Sequence, residues 1–263
     1  MSKLVPNWGQ SPQPGSIYYL QKLSHDIFGI VNHATNKTVY LLDVRVGPKN
    51  TDHTISYATH FISQLPHWLC RIHLFLDNTC ATNKNWYMIA WMLEMVQHGK
   101  PDFLRVSFLI ACHTKFSPDL SFAKIAKDYN RSDVFNTEEL KDVIALHADV
   151  VVDQGEIVCD WRTNLAKYSK LPGIRTLHDF VIAKNSVTGS IVCKTRRLCY
   201  KGNFNNATIH VLAGHHIDEN VIPNATDNYL SKNKLRQLSD MKLSHLRQMS
   251  TSFIPANRHF SFL

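Results

Sequence analysis

The chain has 263 residues, of which 44% are hydrophobic and 19% charged, a composition that indicates a folded globular protein and excludes an intrinsically disordered one. Its formal net charge of +8 is compatible with a polyanionic partner such as nucleic acid, and equally with an ordinary solvated surface. The sequence has no apolar run long enough to span a membrane and no apolar segment after Met1 of the secretory kind, so we expect an intracellular protein without a membrane partner.

The N-terminal part of the sequence predicts an extended segment followed by strands. Residues 1–15 are rich in Pro, Gly, Gln and Ser and predict an extended lead-in. Residues 16–21 (SIYYLQ) predict a short strand. The runs DIFGIVN and TVYLLDV, separated by a polar turn within residues 26–44, predict a β-hairpin because both are β-branched and aromatic.

Alternating helices and strands follow. Apolar residues recur at helical spacing from Thr51 onward, and residues 71–77 predict a strand. Residues 83–98 predict a helix that is apolar almost all round and therefore buried, with Gly99 as its stop signal. Residues 104–111 form a continuous apolar run of the kind found in a covered sheet.

The second half contains two clear helix starts, one hairpin and one basic segment. Ser117-Pro118 predicts the start of a helix that runs to Tyr129, and Asn136 to Glu139 resembles a capping box. Residues 178–197 predict a hairpin. Residues 229–248, which carry Lys232, Lys234 and Arg236, predict a basic C-terminal helix.

A hairpin-rich start followed by alternating helix and strand predicts an α/β fold with a mixed sheet flanked by helices. We place the boundaries at 1–15 for the lead-in, 16–150 for the core, and 151–263 for an extension with the hairpin and the basic helix.

Two carboxylates are the main candidates for chemistry. Asp77 lies at the end of one predicted strand, and Asp119 lies in the first turn of the helix after the next strand. Because ligands tend to bind beyond the carboxyl ends of strands, both acids could hold Mg²⁺ or Mn²⁺ for phosphoryl transfer. Alternatively, Asp77 belongs to an ordinary turn and Asp119 is an acid favoured by the helix dipole.

Polar residues near these acids are further candidates. His113 could orient a carboxylate or a water and is a candidate catalytic residue, while Lys115 could meet a phosphate. The same two residues also fit a plain polar loop.

Several motifs in a consistent order carry a family resemblance. DNTCATNKNWYMIAWML (77–93) resembles a DNCxGQNKN motif followed by an aromatic helix, and FLIACHTKFSPD (108–119) resembles FLIxGHTKFxPD. PQPGSIYYL and KLPGIRTLHDFVI resemble two further segments of the same family. The chain is thus similar to a family of transposon-derived, RNase H-like domains of unknown function of the DDE transposase/integrase type.

This resemblance implies an RNase H-like core in which Asp77 and Asp119 match two acids of a metal site. It also implies that Asn78, Asn83, Lys84 and Asn85 line the same cleft. With Lys115, Lys232, Lys234 and Arg236 they are the expected nucleic-acid-binding residues, and the expected partner is DNA, which implies a nuclear location.

The sequence also departs from the family. Relatives have a strand with an Asp before the QPG segment, whereas here the first acid is Asp26; we therefore expect an N-terminally truncated core lacking the usual first strand. Asp43 is a poor substitute, because RNase H order places its strand at the far edge of the sheet. The Gly of GHTKF is replaced by Cys112.

Three interpretations remain open on the sequence alone. The first is an active metal-dependent nuclease or strand transferase. The second is a transposase-derived protein that has lost catalysis and keeps nucleic-acid binding. The third is a protein-interaction scaffold or a relic. Loss of the first acid favours a transposase/integrase-like protein with impaired catalysis.

Overall fold

A computed structural model describes residues 1–35, 37–43 (backbone only), 50–99, 101–109, 117–153, 157–199, 201–210 and 238–260. The helices of these residues are α1 (Thr51–Ser63), α2 (Trp86–Gln97), α3 (Ser117–Tyr129), α4 (Thr137–Ala145), α5 (Trp161–Leu165) and α6 (Asp240–Phe253). The strands are β1 (Ser2–Val5), β2 (Asn7–Trp8), β3 (Leu23–Asn32), β4 (Lys37–Asp43), β5 (Arg71–Leu76), β6 (Phe103–Phe108), β7 (Asp133–Val134), β8 (Asp149–Asp153), β9 (Asp179–Lys184), β10 (Ile191–Arg196) and β11 (Asn205–Ala207). No helix in this part of the chain is both long and apolar enough to cross a membrane.

The chain divides into two compact units, and each contains its own mixed sheet. The first unit comprises Met1–Gly47, Lys115–Glu156 and Lys234–Leu263. Its four-stranded sheet has the order β1-β3-β4-β8, in which β1, β3 and β4 are antiparallel and β8 runs parallel to β4. The predicted mixed α/β class is confirmed, although the sequence did not indicate that the strands would be shared between two sheets.

The second unit comprises Pro48–Thr114 and Ile157–Asn233. Its five-stranded sheet has the order β11-β10-β9-β6-β5, with only β5 and β6 parallel among these neighbours. One face of this sheet packs against α1, α2 and α5 in a single hydrophobic core. Because α2 lies within that core, its residues are buried on most sides, as the sequence predicted.

Most predicted elements are present within a few residues of their expected bounds. The hairpin β3–β4, the helix α2 with Gly99 at φ +79° after its end, and the hairpin β9–β10 are confirmed. The start of α4 is also confirmed, since the Asn136 side chain accepts from Glu139 N at 2.9 Å. Of the predicted basic helix, residues 229–237 lie outside the described residues, and α6 begins at Asp240.

One prediction for the N-terminal part is wrong. Residues 16–21 do not form a strand, because Gly15–Tyr19 is a 3-10 helix in which Ile17 N donates to Pro14 O at 3.0 Å. Within the predicted lead-in, β1 pairs with β3 along its whole length. The composition of residues 16–21 is typical of a strand, but Pro14-Gly15 starts a turn instead.

Gly9 permits a close approach of two backbone segments in the first unit. A Cβ at this position would lie 2.5 Å from both N and O of Ser132. We expect Gly9→Ala to lower the free energy of unfolding by about 1–3 kcal/mol, because backbone atoms must move to make room. Gly15→Ala is the control, since a Cβ there would meet nothing within 4 Å. Urea unfolding of the two variants measures the difference, and equal stability would contradict this packing.

The buried acid Glu94 of α2 predicts acid lability. Its side chain is fully buried and accepts from Lys167 Nζ at 2.9 Å, from Tyr168 Oη and from His98 Nε2 at 3.3 Å. Burial favours a higher pKa, but the three hydrogen bonds outweigh it and hold the pKa of Glu94 below its usual value. The ionised form therefore stabilises the fold above the unfolded-state pKa, and this contribution is lost as the pH falls through the folded-state pKa.

We accordingly expect Glu94→Gln to have a lower free energy of unfolding than the wild-type chain at pH 7. This difference should shrink below about pH 4.3, the ordinary pKa of a glutamate. Urea unfolding at pH 7, 4 and 3 measures it. A difference that grew as the pH fell would contradict a pKa of Glu94 below its usual value.

Candidate functional site

The candidate site is the loop of residues 77–85, which connects β5 to α2 in the second unit. Asp77 directly follows β5 and is exposed. Its Oδ1 accepts from Thr79 N at 3.2 Å and from Asn83 Nδ2, and its Oδ2 accepts from Thr79 Oγ1 at 2.9 Å. Both carboxylate oxygens therefore help to fold the loop, while their remaining lone pairs can still accept a further ligand.

Asn78 has an unusual side chain. Its Oδ1 is buried and has no hydrogen-bond partner. An unpaired buried acceptor costs about 1–3 kcal/mol, so a donor or a cation at this atom would be favourable. This amide oxygen and the carboxylate of the preceding residue, Asp77, are hard oxygen ligands of the kind that Mg²⁺ prefers.

The two outer asparagines of the NKN run attach the loop to the protein. Asn83 Oδ1 accepts from Thr54 Oγ1 at 3.1 Å, and Asn85 Nδ2 donates to Thr51 Oγ1 at 2.6 Å. Asn85 is also the N-cap of α2, since its side chain accepts from Met88 N at 3.3 Å. These contacts fix the loop to the first turn of α1 and so fix the position of the residues that precede it.

Lys84, between these two asparagines, is only 2% exposed. Its Nζ donates to Arg175 O at 2.9 Å and lies 6.0 Å from the centroid of the Phe108 ring. Burial lowers the pKa of this ammonium below its ordinary value. In this position Lys84 ties the loop to the segment before β9, and its contact with nucleic acid stays a prediction.

The other predicted site residues lie elsewhere in the chain. Asp119 is exposed in the first turn of α3, which belongs to the first unit, whereas Asp77 belongs to the second. A metal ion shared by these two carboxylates therefore stays a prediction. The remaining candidates lie outside the described residues: His113, Lys115, Lys232, Lys234 and Arg236.

The sequence reasoning missed a row of acids in the four-stranded sheet. Asp43 ends β4, which lies between β3 and β8 and not at the edge of its sheet as expected. Its Cα is in register with Asp26 on one side and with Asp153 on the other. Asp153 is fully buried. Within the described residues, however, no group of three or more His, Cys, Asp or Glu side chains is arranged to hold a metal ion.

Comparison with known proteins identifies one family. The family described as Domain of unknown function (DUF7869) matches residues 16–201, a range that includes the 77–85 loop and most of both sheets. No curated protein and no solved structure matches the chain.

Proposed function

The chain belongs to the family described as Domain of unknown function (DUF7869), and we propose a function for the matched region. We propose that it is a transposase/integrase-like protein derived from a DNA transposon. In this proposal it binds nucleic acid in the nucleus and has impaired phosphoryl-transfer chemistry. The motif resemblance of residues 77–93 and 108–119, both of which lie within the matched range, supports the proposed origin.

An RNase H-like ancestry is part of this proposal. Such a core joins antiparallel hairpin strands to a parallel strand. The four-stranded sheet also contains an antiparallel pair, β3–β4, and a parallel strand, β8, although β4 lies inside this sheet and not at the edge that RNase H order gives it. The strands β5 and β6 belong to the other sheet, so the proposed ancestry rests on the motif resemblance.

One observation carries the functional proposal: Asp77 and Asn78 place a carboxylate and an unpaired amide oxygen at the end of β5. These oxygens suit Mg²⁺ or Mn²⁺, which would balance the charge of a bound phosphate. Asp77 would hold the ion and Asn78 Oδ1 would complete the protein's share of the ligands. The net charge of +8 supports the polyanionic partner.

We infer impaired chemistry from the hydrogen bonds that the Asp77 carboxylate accepts within its own loop. Thr79 and Asn83 donate three hydrogen bonds to its carboxylate, which leaves about one of its four lone pairs for a metal ion. We infer weak metal binding and slow phosphoryl transfer.

The alternative, a non-catalytic nucleic-acid-binding or protein-interaction domain, is favoured by a different observation. Tyr18, Tyr19 and Trp68 are 80%, 81% and 73% exposed. Aromatic side chains of this kind are enriched where proteins contact a partner.

Nicking of supercoiled plasmid in the presence of Mn²⁺ tests the catalytic part of the proposal. We expect the wild-type chain to nick slowly or not at all, because its metal site is weak. Any activity above background should disappear in Asp77→Ala and in Asp119→Ala, and should persist in Asp142→Ala, which removes an exposed acid from α4. Rapid nicking by the wild-type chain would contradict impairment, and slow activity that is equal in all four proteins would identify a contaminant.

A further inference from the structure

The five-stranded sheet has a second face, opposite the helices, where residues from its strands form rows. The core takes alternate residues such as Leu74, Val106 and Phe180 from the first face. The residues between them point the other way, because side chains alternate along a strand. Strand register places one row at Asn206, Lys194, Val181, Arg105 and His73, a second at Arg196, Asp179, Ser107 and Phe75, and a third at Val192, Ala183, Phe103 and Arg71.

These three rows, which we call the basic face, carry an excess of positive charge. Their cations are Arg71, Arg105, Lys194 and Arg196, and their one carboxylate is Asp179. Asp179 is fully buried and accepts from Arg105 Nε at 2.9 Å and from Arg196 Nε at 2.7 Å. The two inner arginines are therefore fixed in place by one acid, and the charge of the face stays positive.

The outer cations are differently placed. Arg71 on β5 and Lys194 on β10 are both exposed, so their charges are available to a partner in solution. Arg71 on β5 and Lys194 on β10 lie on the two strands that flank β6 and β9, which carry Arg105 and Asp179, and could follow a phosphate backbone that crosses the strands.

Aromatic rings alternate with these cations. The Arg71 guanidinium lies 4.3 Å from the Phe103 centroid, and the Phe75 and His73 rings are 4.1 Å apart. Phe204, which precedes β11, stacks with Arg196 at 4.4 Å. Burial, followed by the charge of Arg105, lowers the pKa of His73 to about 4, so its imidazole is a neutral ring at pH 7.

We propose that the basic face binds single-stranded DNA, with phosphates at Arg71 and Lys194 and bases stacked near Phe103 and Phe75. Cations that alternate with rings on a sheet are the arrangement that recognises unpaired nucleic acid, because an unpaired base has a free face to stack while the bases of a duplex do not. This inference rests on the proposed function for its class of partner, but it names a surface on the five-stranded sheet and not the 77–85 loop itself.

The test is fluorescence anisotropy of a labelled 20-nucleotide oligothymidine with the full chain across a range of NaCl concentrations. Removing both outer cations (Arg71→Ala with Lys194→Ala) should reduce the slope of log affinity against log salt by about 1.4, since each phosphate contact on a single strand contributes about 0.7. Phe103→Leu should weaken binding by about fivefold or more, because it removes a stacking ring.

Two control variants separate this face from general charge. Lys124→Ala with Lys127→Ala removes two exposed cations from α3 and should leave the slope unchanged. The single variant Arg71→Lys should retain the slope of log affinity against log salt, because it keeps the positive charge at this position. Thermal unfolding of every variant confirms that each one is folded.

Failure of this inference can be told apart from failure of the proposed function. If the wild-type chain binds and the Arg71/Lys194 double variant behaves like the Lys124/Lys127 control, the basic face is not the surface, while nucleic-acid binding stands. Tighter binding to a 20-base-pair duplex than to the single strand would overturn the proposed ligand. If the wild-type chain binds neither, the proposed function itself is wrong.

Discussion

Replacing Asp179 with Ala should lower the free energy of unfolding by about 3–5 kcal/mol. Removing one partner of a buried ion pair leaves the charge of the remaining partner buried and uncompensated. Asp179 is fully buried, and the side chains of Arg105 and Arg196 are only 18% and 11% exposed. Burial favours a higher pKa for Asp179, but hydrogen bonds from both arginines and from Ser107 hold it below its usual value. The ionised acid is thus the form that the fold stabilises.

Urea unfolding at pH 7 measures this loss. Lys194→Ala is the matched control, since Lys194 lies two residues from Arg196 on the same strand and face but is exposed. Its removal should change stability by no more than about 0.5 kcal/mol. A loss below about 1 kcal/mol for Asp179→Ala, the range of an exposed pair, would mean that water reaches the arginines and that the group is not fixed.

Trp91→Ala should also lower the free energy of unfolding by about 3–5 kcal/mol, the usual range for truncating a large buried aromatic side chain. Trp91 is fully buried in α2, and its Nε1 donates to Thr59 Oγ1 of α1 at 2.9 Å. The substitution both leaves a cavity and removes a link between α1 and α2. Because the 77–85 loop is attached to α1 and leads into α2, we expect it to lose order in the same variant.

Trp68→Ala is the control for Trp91→Ala, since Trp68 is 73% exposed in the same unit; it should cost no more than about 0.5 kcal/mol. If Trp91→Ala does not fold, Trp91→Phe keeps most of the volume and should cost less than about 3 kcal/mol. Equal losses for Trp91→Ala and Trp68→Ala would contradict the assigned core.

Local signals in the sequence predicted those elements whose causes are local. The stop at Gly99, the capping of α4 by Asn136 and the β3–β4 hairpin each depend on residues a few positions apart. The strand predicted for residues 16–21 was wrong although its signal was also local. Their aromatic composition suits a strand, yet Tyr18 and Tyr19 are exposed on a 3-10 helix that follows Pro14.

Pairings between distant residues were not predictable from the same signals. Arg105 and Asp179 are 74 residues apart, and no local pattern in the sequence pairs them. The division of the strands between two sheets, and the register that aligns Asp26, Asp43 and Asp153, likewise depend on which strands become neighbours. Hydrophobic periodicity indicates that a strand exists, but it does not choose the strand's partner.

For the candidate site, the sequence predicted the position of Asp77 at a strand end but not the environment of its neighbours. The hydrogen bonds that Thr79 and Asn83 donate to Asp77, the unpaired Oδ1 of Asn78 and the burial of Lys84 all depend on how the 77–85 loop packs. The motif letters alone do not distinguish a residue that binds a ligand from one that folds the loop.

The central claim is that this chain binds nucleic acid, and the most direct measurement is the affinity of the wild-type protein for DNA as a function of NaCl concentration. The claim predicts that log affinity falls linearly with log salt, by about 0.7 for each phosphate contacted on a single strand. It also predicts that binding measured without a divalent metal ion is unchanged in Asp77→Ala, because the proposed phosphate contacts at Arg71 and Lys194 do not involve Asp77. No binding at low salt, or an affinity that does not change with salt, would contradict it.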